Sequence, residues 1–436
     1  MPTLPIVAVV GRPNVGKSTF VNRIAQTEDA IVHRSRGVTR DRSYHTAEWC
    51  GKHFMLIDTG GIEMAEDDAF QISIRAQATV ATREADIIIF LVDGRVGVTA
   101  DDESVARMLK RSNKPIFLVV NKVDTPGSEK ETFEFWNLGL GTPYPISSTH
   151  GNGTGDLLDE IVKDLPDAEM LEDDGAISVA VIGRPNAGKS SLANKLTGVD
   201  RSIVSDVAGT TRDAVDTTVV HNDILYRFVD TAGLRRKGAI DEDIEYYGFV
   251  RAMRAIDRCD VALLVLDSTI GLTDQDQRVA SFAADRGCAI IIVMNKWDLM
   301  KDEEERESFI AHVEDRLGFI GWAPVVRVSA LTGKNAVKIF DHIDVVYENF
   351  SQSISTSSLN KLLTEIRDFG HTVNKYGKSL RMNYVTQTHK SPPGFTFFAN
   401  FPNLVDENYK RYIENRMRKQ FGFSGTPIYL KFKKKD

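Results

Sequence analysis

The chain has 436 residues, 42% of them apolar and 26% charged, which is too long for one hydrophobic core and excludes a disordered or fibrous protein in favour of two or three globular domains. Its net charge of −7 is uneven: residues 351–436 carry 15 Lys plus Arg against 6 Asp plus Glu, or +9, which leaves −16 for the rest, so the basic end is expected to meet a polyanion. No run of about 18 apolar residues occurs and no basic leader precedes the first apolar run, so the expectation is a cytoplasmic protein with no membrane partner.

Ile6–Val10 is a short apolar run with the pattern of a strand buried on both faces, and it feeds GRPNVGKS at Gly11–Ser18. A GxxxxGKS turn between strand and helix lines backbone N–H groups around phosphates at a helix amino terminus. Gly11, Asn14, Gly16, Lys17, Ser18 and Thr19 form this expected cradle, with Lys17 reaching the β- and γ-phosphates and the Ser18 hydroxyl on Mg²⁺. Thr39 lies 22 residues after Lys17 in the polar segment RSRGVTRD, where its hydroxyl is expected to join the metal only when a γ-phosphate is present. The run Phe54–Asp58 opens DTGG, placing Asp58 near the metal and Gly61 where a backbone N–H can approach the γ-phosphate.

Ile87–Asp93 and Ile116–Asn121 repeat the strand pattern, and the second closes on NKVD. Guanine offers two donors on one edge that a single carboxylate can accept together, and adenine offers neither. Asp124 is therefore the expected guanine reader, Asn121 the brace of its loop and Lys122 the side chain along the base. In the SST segment, Ser147 and Ser148 are placed beside the base, with a backbone N–H for guanine O6. Three cysteines, Cys50, Cys259 and Cys288, lack CxxC spacing and are expected as buried thiols.

Asp164–Gly175 (DLPDAEMLEDDG) is acidic and reads as a flexible linker, assigned to residues 166–175 between domains at 1–165 and 176–350. The series then recurs at an offset of 172: GRPNAGKS at Gly183–Ser190, then Gly209, Thr211, Arg212 and Asp213, then Asp230, Thr231 and Gly233. Strand-like runs return at Ser178–Ile182, Arg227–Asp230, Val261–Asp267 and Ile290–Asn295. Gly183, Asn186, Gly188, Lys189, Ser190 and Ser191 are the second cradle. Ser190, Thr211 and Asp230 match Ser18, Thr39 and Asp58 as Mg²⁺ ligands. NKWD supplies Asn295, Lys296 and Asp298, with Ser329 and Ala330 following. The expected catalytic set is Lys17, Thr39, Asp58 and Gly61 with Lys189, Thr211, Asp230 and Gly233. Strand alternating with helix, twice over, predicts two doubly wound, mostly parallel α/β domains of the P-loop type.

Residues 351–436 read as a small α+β domain: helix at Asn360–Phe369, strands at Met382–Thr388 and Phe395–Asn400, helix at Asn408–Phe421, strand at Ile428–Phe432. Lys410, Arg411, Arg416, Arg418 and Lys419 share the second helix, with Lys431, Lys433, Lys434 and Lys435 close behind; these are candidates for RNA phosphates.

The tandem GRPNxGKS, TRD, DTxG and NKxD elements with a basic terminal domain resemble the Der (EngA) family of bacterial ribosome-assembly GTPases, of the Era/TrmE-like group, over essentially the whole chain. LGLGTPYPISSTHGNGTGDLLDEI and DTAGLRRKG extend the likeness. The resemblance implies a GTP- and GDP-binding, Mg²⁺-using enzyme in maturation of the large (50S) ribosomal subunit, with a KH-like terminal domain on its rRNA. A monomer is expected. The KH pattern is departed from in one respect, because no basic GxxG loop joins two helices. Many GTPases orient water with Gln after DxxG, but Ile62 and Leu234 stand there. Related GTPases with a hydrocarbon at that place use a cradle Asn to help hold K⁺, which implies slow, K⁺-stimulated hydrolysis with Asn14 and Asn186 in that role. The competing readings are an RNA-binding protein with one structural nucleotide site and a tRNA-modification GTPase, which would need a further one-carbon or redox domain.

Overall fold

The computed structural model describes residues 4–25, 44–58, 78–79, 81–124, 128–166, 175–198, 216–231, 245–369, 374–375 and 378–434. Two compact units divide the chain, Met1–Glu172 with Asp243–Arg251 and Asp173–Glu242 with Ala252–Asp436.

In the first unit the elements run β1 (Ile6–Val10), α1 (Lys17–Ala25), β2 (Tyr44–Trp49), β3 (Lys52–Asp58), β4 (Ile87–Asp93), α2 (Ala100–Leu109), β5 (Ile116–Asn121), a 3₁₀ stretch (Ser128–Leu138), β6 (Tyr144–Pro145) and α3 (Thr154–Asp164). The sheet order is β2-β3-β1-β4-β5-β6, with only β2 antiparallel to its neighbour. Every residue of β1 and β4 is buried, because parallel strands covered by helices on both faces require apolar side chains at odd and even positions alike. Val7, Val9, Leu56, Ile89 and Leu91 pack with Phe20 of α1 and Leu157 and Ile161 of α3. Strand order reverses at β1, so a crevice opens at its carboxyl end, where the Gly11–Ser18 turn begins.

Residues 177–350 repeat this plan with β7 (Ile177–Ile182), α4 (Lys189–Thr197), β8 (Thr217–His221), β9 (Ile224–Phe228), α5 (Glu245–Asp257, assigned to the second unit only from Ala252 on), β10 (Val261–Asp267), α6 (Asp274–Asp285), β11 (Ala289–Asn295), α7 (Glu303–Arg316), β12 (Val325–Arg327) and α8 (Lys338–Phe350). Its sheet order is β12-β11-β10-β7-β9-β8, the same arrangement. The expected central strands are present in both sheets, whereas β2 (YHTAEW) and β8 (TTVVH) were not foreseen. Each is an antiparallel edge strand that interrupts its apolar residues with polar ones, so neither shows the continuous run that marked the central strands. Asp230 was expected to end a strand; it lies two residues beyond β9, with φ at 56°.

The terminal domain follows within the second unit: α9 (Thr356–Phe369), short paired strands β13 (Asn374–Lys375) and β14 (Lys378–Ser379), β15 (Met382–His389), β16 (Gly394–Ala399), a 3₁₀ turn (Pro402–Leu404), α10 (Glu407–Phe421) and β17 (Tyr429–Lys434). β16 pairs antiparallel with β15 and parallel with β17, and one sheet face packs Val385, Phe395 and Phe397 against Leu359, Leu362, Ile413 and Met417 of the two helices. This is the α+β module expected from the sequence. The turn after α10, Gly422–Gly425, seats against the second α/β domain: the Gly425 amide donates to Trp322 O at 2.8 Å, and its carbonyl accepts from the Ile290 amide at 2.7 Å. Gly425 holds φ at 75°, and a Cβ there would strike Val346, so both backbone conformation and close approach require glycine.

The cysteine expectation needs correction at one position. Cys50 is exposed in the β2–β3 turn, whereas Cys288 is buried and Cys259 half-buried with their sulfurs 3.8 Å apart. Of the linker, residues 167–174 lie outside the described residues. Among the described residues no helix is long and apolar enough to cross a membrane.

Candidate nucleotide-binding sites

Each crevice is organised by one asparagine. Asn121 ends β5, is buried, and donates from Nδ2 to the Val15 carbonyl of the cradle at 2.7 Å while its Oδ1 accepts the Ser148 amide at 2.9 Å. Asn295 does the same with Ala187 O at 2.8 Å and the Ala330 amide at 2.9 Å. Three loops distant in sequence are thus tied through one carboxamide, which is the bracing role expected for these asparagines. The carboxamide also explains a glycine in each cradle, since a Cβ on Gly16 or Gly188 would collide with the Nδ2 of Asn121 or Asn295.

Lys17 is 6% exposed and donates to the carbonyls of Gly11 at 2.7 Å and Arg12 at 2.9 Å. Burial pushes its pKa down to about 8, with the Asp58 carboxylate pulling the other way. A group so placed gains from any anion brought to the loop. Lys189 makes the matching bond to Arg184 O at 2.7 Å. The Ser18 hydroxyl donates to Asp58 Oδ2 at 2.6 Å, so two of the three expected metal ligands of the first site converge. Among the described residues no three His, Cys, Asp or Glu side chains cluster. A hydroxyl beside one carboxylate, next to a phosphate cradle, suits Mg²⁺, which takes few protein oxygens and completes its shell with phosphate and water. In the second site the Asp230 amide donates to Asp216 Oδ1 at 2.9 Å, and Asp216 pairs with Arg258 at 2.6 Å. Thr39, Gly61, Ile62, Thr211, Gly233 and Leu234 lie outside the described residues.

The base-reading loops differ between the sites. Asp124 accepts the Ser147 hydroxyl at 2.6 Å and pairs with Arg95, and the hydroxyl first, then the guanidinium, hold its carboxyl below the usual range. It therefore stays an ionised acceptor, as guanine requires. In the second site Trp297 of NKWD lies under two guanidiniums, those of Arg327 at 5.1 Å and Arg306 at 5.9 Å from the ring centroid. In the SST and SAL segments the Ser148 and Ala330 amides donate to Asn121 and Asn295 at 2.9 Å.

Sequence reasoning missed a second layer. Lys122 and Lys296 occupy left-handed backbone, φ 69° and 59°, and their ammonium groups pair at 2.6 Å with Asp93 and Asp267 at the ends of β4 and β10. Asp267 is raised by burial but brought below its ordinary value by Lys296 and Thr269. Asp102, fully buried, closes a capping box with Thr99 at the start of α2 and reaches Arg12 of the cradle at 3.0 Å. Thr273 and Asp276 repeat that box, with Arg184 at 4.0 Å. The signal was available: Asp93, Thr99 and Asp102 recur as Asp267, Thr273 and Asp276 at an offset of 174 rather than 172.

The proposed RNA helix is only partly open. Arg411 and Lys419 are exposed, Lys410 pairs with Glu407 at 3.1 Å and Arg416 with Glu365 at 3.5 Å. Arg418 must be withdrawn from the phosphate-facing set. Its side chain is 15% exposed, pairs with Glu414 at 2.8 Å, donates to Phe423 O at 2.8 Å and Thr426 O at 3.0 Å, and stacks 5.3 Å from the Trp322 ring centroid.

Two P-loop sheets, each with a cradle lysine bonded to its own loop, buried at Lys17 and half-buried at Lys189, and each with an asparagine joining cradle to base loop, define a GTPase that carries its nucleotide site twice. A family model described as "50S ribosome-binding GTPase" matches residues 6–122 and again 178–296, and one described as "KH-domain-like of EngA bacterial GTPase enzymes, C-terminal" matches 353–433. GTPase Der of Moorella thermoacetica is 48% identical over 99% of this chain and 98% of that protein; GTPase Der of Heliobacterium modesticaldum is 48% identical over 97% of each. Among solved structures, Aquifex aeolicus Era bound to GDP.AlF4- is 22% identical over 59% of this chain and 92% of that one, with a TM-score of 0.30. The chain belongs to the GTPase Der family and is a GTP-hydrolysing enzyme.

Proposed function

We propose that this GTPase acts as a monomeric, cytoplasmic switch in maturation of the large ribosomal subunit, with its terminal domain on rRNA. The observation that carries this reading is the pairing, on one chain, of two nucleotide crevices with a basic KH-like domain bonded to the second α/β domain through Gly425 and Trp322. The division into domains 1–165, 176–350 and 351–436 is supported by where the family models match.

Lys17 and Lys189 give their ammonium groups to phosphate oxygens, and the cradle amides at the starts of α1 and α4 supply further donors. Bound Mg²⁺ neutralises charge on the phosphates; Ser18, Asp58 and Thr39, with Ser190, Asp230 and Thr211, are the residues that would hold it. Asp124 and Asp298 select guanine. The Ser18–Asp58 contact is the observation that favours the metal assignment. Asn14 and Asn186 adopt φ of 64° and 62°, a conformation that Asn tolerates well, so loop shaping alone gives a reason for Asn there and the K⁺ role rests on family likeness.

The test is GTP hydrolysis with purified large ribosomal subunits, in KCl and in NaCl, on wild type, Lys17→Ala and Lys189→Ala. Faster turnover in KCl, with particles bound only in the presence of a GTP analogue, is the expected result. Equal rates in the two salts remove the K⁺ role. Particle binding indifferent to nucleotide removes the switch.

A further inference from the structure

The sheet of the terminal domain has a second face, turned away from α9 and α10. Core-facing residues form rows across the strands, Val385–Phe397–Phe432 and Gln387–Phe395–Leu430. The alternate rows, Tyr384–Phe398–Lys433 and Thr386–Thr396–Lys431, point the other way because side chains alternate along a strand. Tyr384 is 42% exposed, its ring centroid lies 6.0 Å from that of Phe398 at 39°, and Lys431 and Lys433 are exposed. Neither lysine pairs with a carboxylate among the described residues. Toward the other end of β17 the Tyr429 hydroxyl donates to Asp285 O of the second α/β domain at 3.4 Å. The face thus runs from an end tied to that domain to an open aromatic and cationic end.

Other routes to RNA in this domain are weaker. Three of the five cations on α10 are paired with glutamates. Between the 3₁₀ turn Pro402–Leu404 and α10 the chain offers Val405 and Asp406, and the Asp406 carboxylate is occupied in capping the helix. The Gly422–Gly425 turn has the GxxG spacing, but its Gly425 backbone is bonded to Trp322 and Ile290.

We propose that the open end of this face binds single-stranded RNA, with unpaired bases stacking on Tyr384 and Phe398 and backbone phosphates held by Lys433 and Lys431. This rests on the reading of the terminal domain as the rRNA-contacting part and assigns that contact to the sheet rather than to α10. Two neighbouring rings present π-faces that any unpaired base can cover, which a paired helix cannot do. Lysines on the adjacent strand sit roughly 5 Å to the side, within reach of the phosphates of a base stacked on Phe398. Uncompensated lysines beside an aromatic pair favour a polyanion over a protein partner, since protein interfaces are depleted in Lys.

The test is fluorescence anisotropy of the full-length protein with a labelled single-stranded RNA of about ten nucleotides, within the usual site size of such platforms. Tyr384→Ala is expected to weaken binding about 5- to 100-fold and Tyr384→Phe to leave it nearly unchanged. Lys431→Glu with Lys433→Glu is expected to weaken binding and to reduce the log–log salt slope by about 1.4. All three variants change exposed side chains, and GTP hydrolysis at wild-type rate verifies folding. If Tyr384→Ala binds RNA as wild type does, while Lys410→Glu with Lys419→Glu loses it, the sheet assignment is overturned and the RNA reading survives. If wild type itself does not bind RNA, the RNA reading falls. If the sheet variants lose ribosomal particles but keep the oligonucleotide, the face recognises protein and the proposal is wrong.

Discussion

Replacing Asn295 by Ala removes the carboxamide that joins the second cradle to its base loop. Two buried hydrogen bonds go, to Ala187 O at 2.8 Å and from the Ala330 amide at 2.9 Å, and both backbone groups are left without their partner. An orphaned buried polar group costs about 1–3 kcal/mol, and two of them, partly relieved by water, come to roughly 2–4 kcal/mol. The cost falls on the arrangement of loops that binds nucleotide, so it appears as lost affinity of about 30- to 1,000-fold at that site alone. The assay is equilibrium titration with a fluorescent GDP analogue in a Lys17→Ala background, which leaves the second site as the reporter. Asn295→Asp retains the acceptor for the Ala330 amide and loses the donor to Ala187, so its loss of affinity should lie between those of wild type and Asn295→Ala. A change below threefold for Asn295→Ala would refute the view that this side chain holds the loops together.

Arg418→Ala deletes the pair with Glu414, two bonds to carbonyls and the stack on Trp322 at the junction of the terminal domain with the second α/β domain. A loss of roughly 2–4 kcal/mol, or about 5–15 °C in the thermal transition of that unit, is expected by calorimetry, and an unchanged transition would return Arg418 to the RNA-facing set. Lys17 yields a pH dependence. Burial lowers its pKa from 10.5 to about 8, so the folded chain binds that proton more weakly than the unfolded chain. The favourable contribution is present above pH 10.5, is lost as pH falls toward 8, and leaves a penalty of about 3 kcal/mol below that. Lys17→Met in nucleotide-stripped protein should therefore gain stability relative to wild type at pH 7 and lose that advantage by pH 10, measured by thermal unfolding; equal effects at both pH values would contradict the assignment.

The sequence by itself determined the elements whose physics is local. A phosphate cradle needs glycines, a lysine and a hydroxyl within eight residues, so Gly11–Ser18 and Gly183–Ser190 were legible directly, and their ordered recurrence identified two domains. Continuous apolar runs marked the central strands because burial on both faces leaves no other option. Tertiary structure alone decided what depends on partners far along the chain. Asn121 reaches both Val15 and Ser148, 106 and 27 residues away, and no spacing rule announces that geometry. Arg418 shares a basic helix with Arg411 and Lys419, yet the turn that follows and Trp322 draw it inward, which composition cannot register. Tyr384, Phe398 and Lys433 become one row only through strand register, since alternation fixes the face a residue takes but the pairing of strands fixes its neighbours.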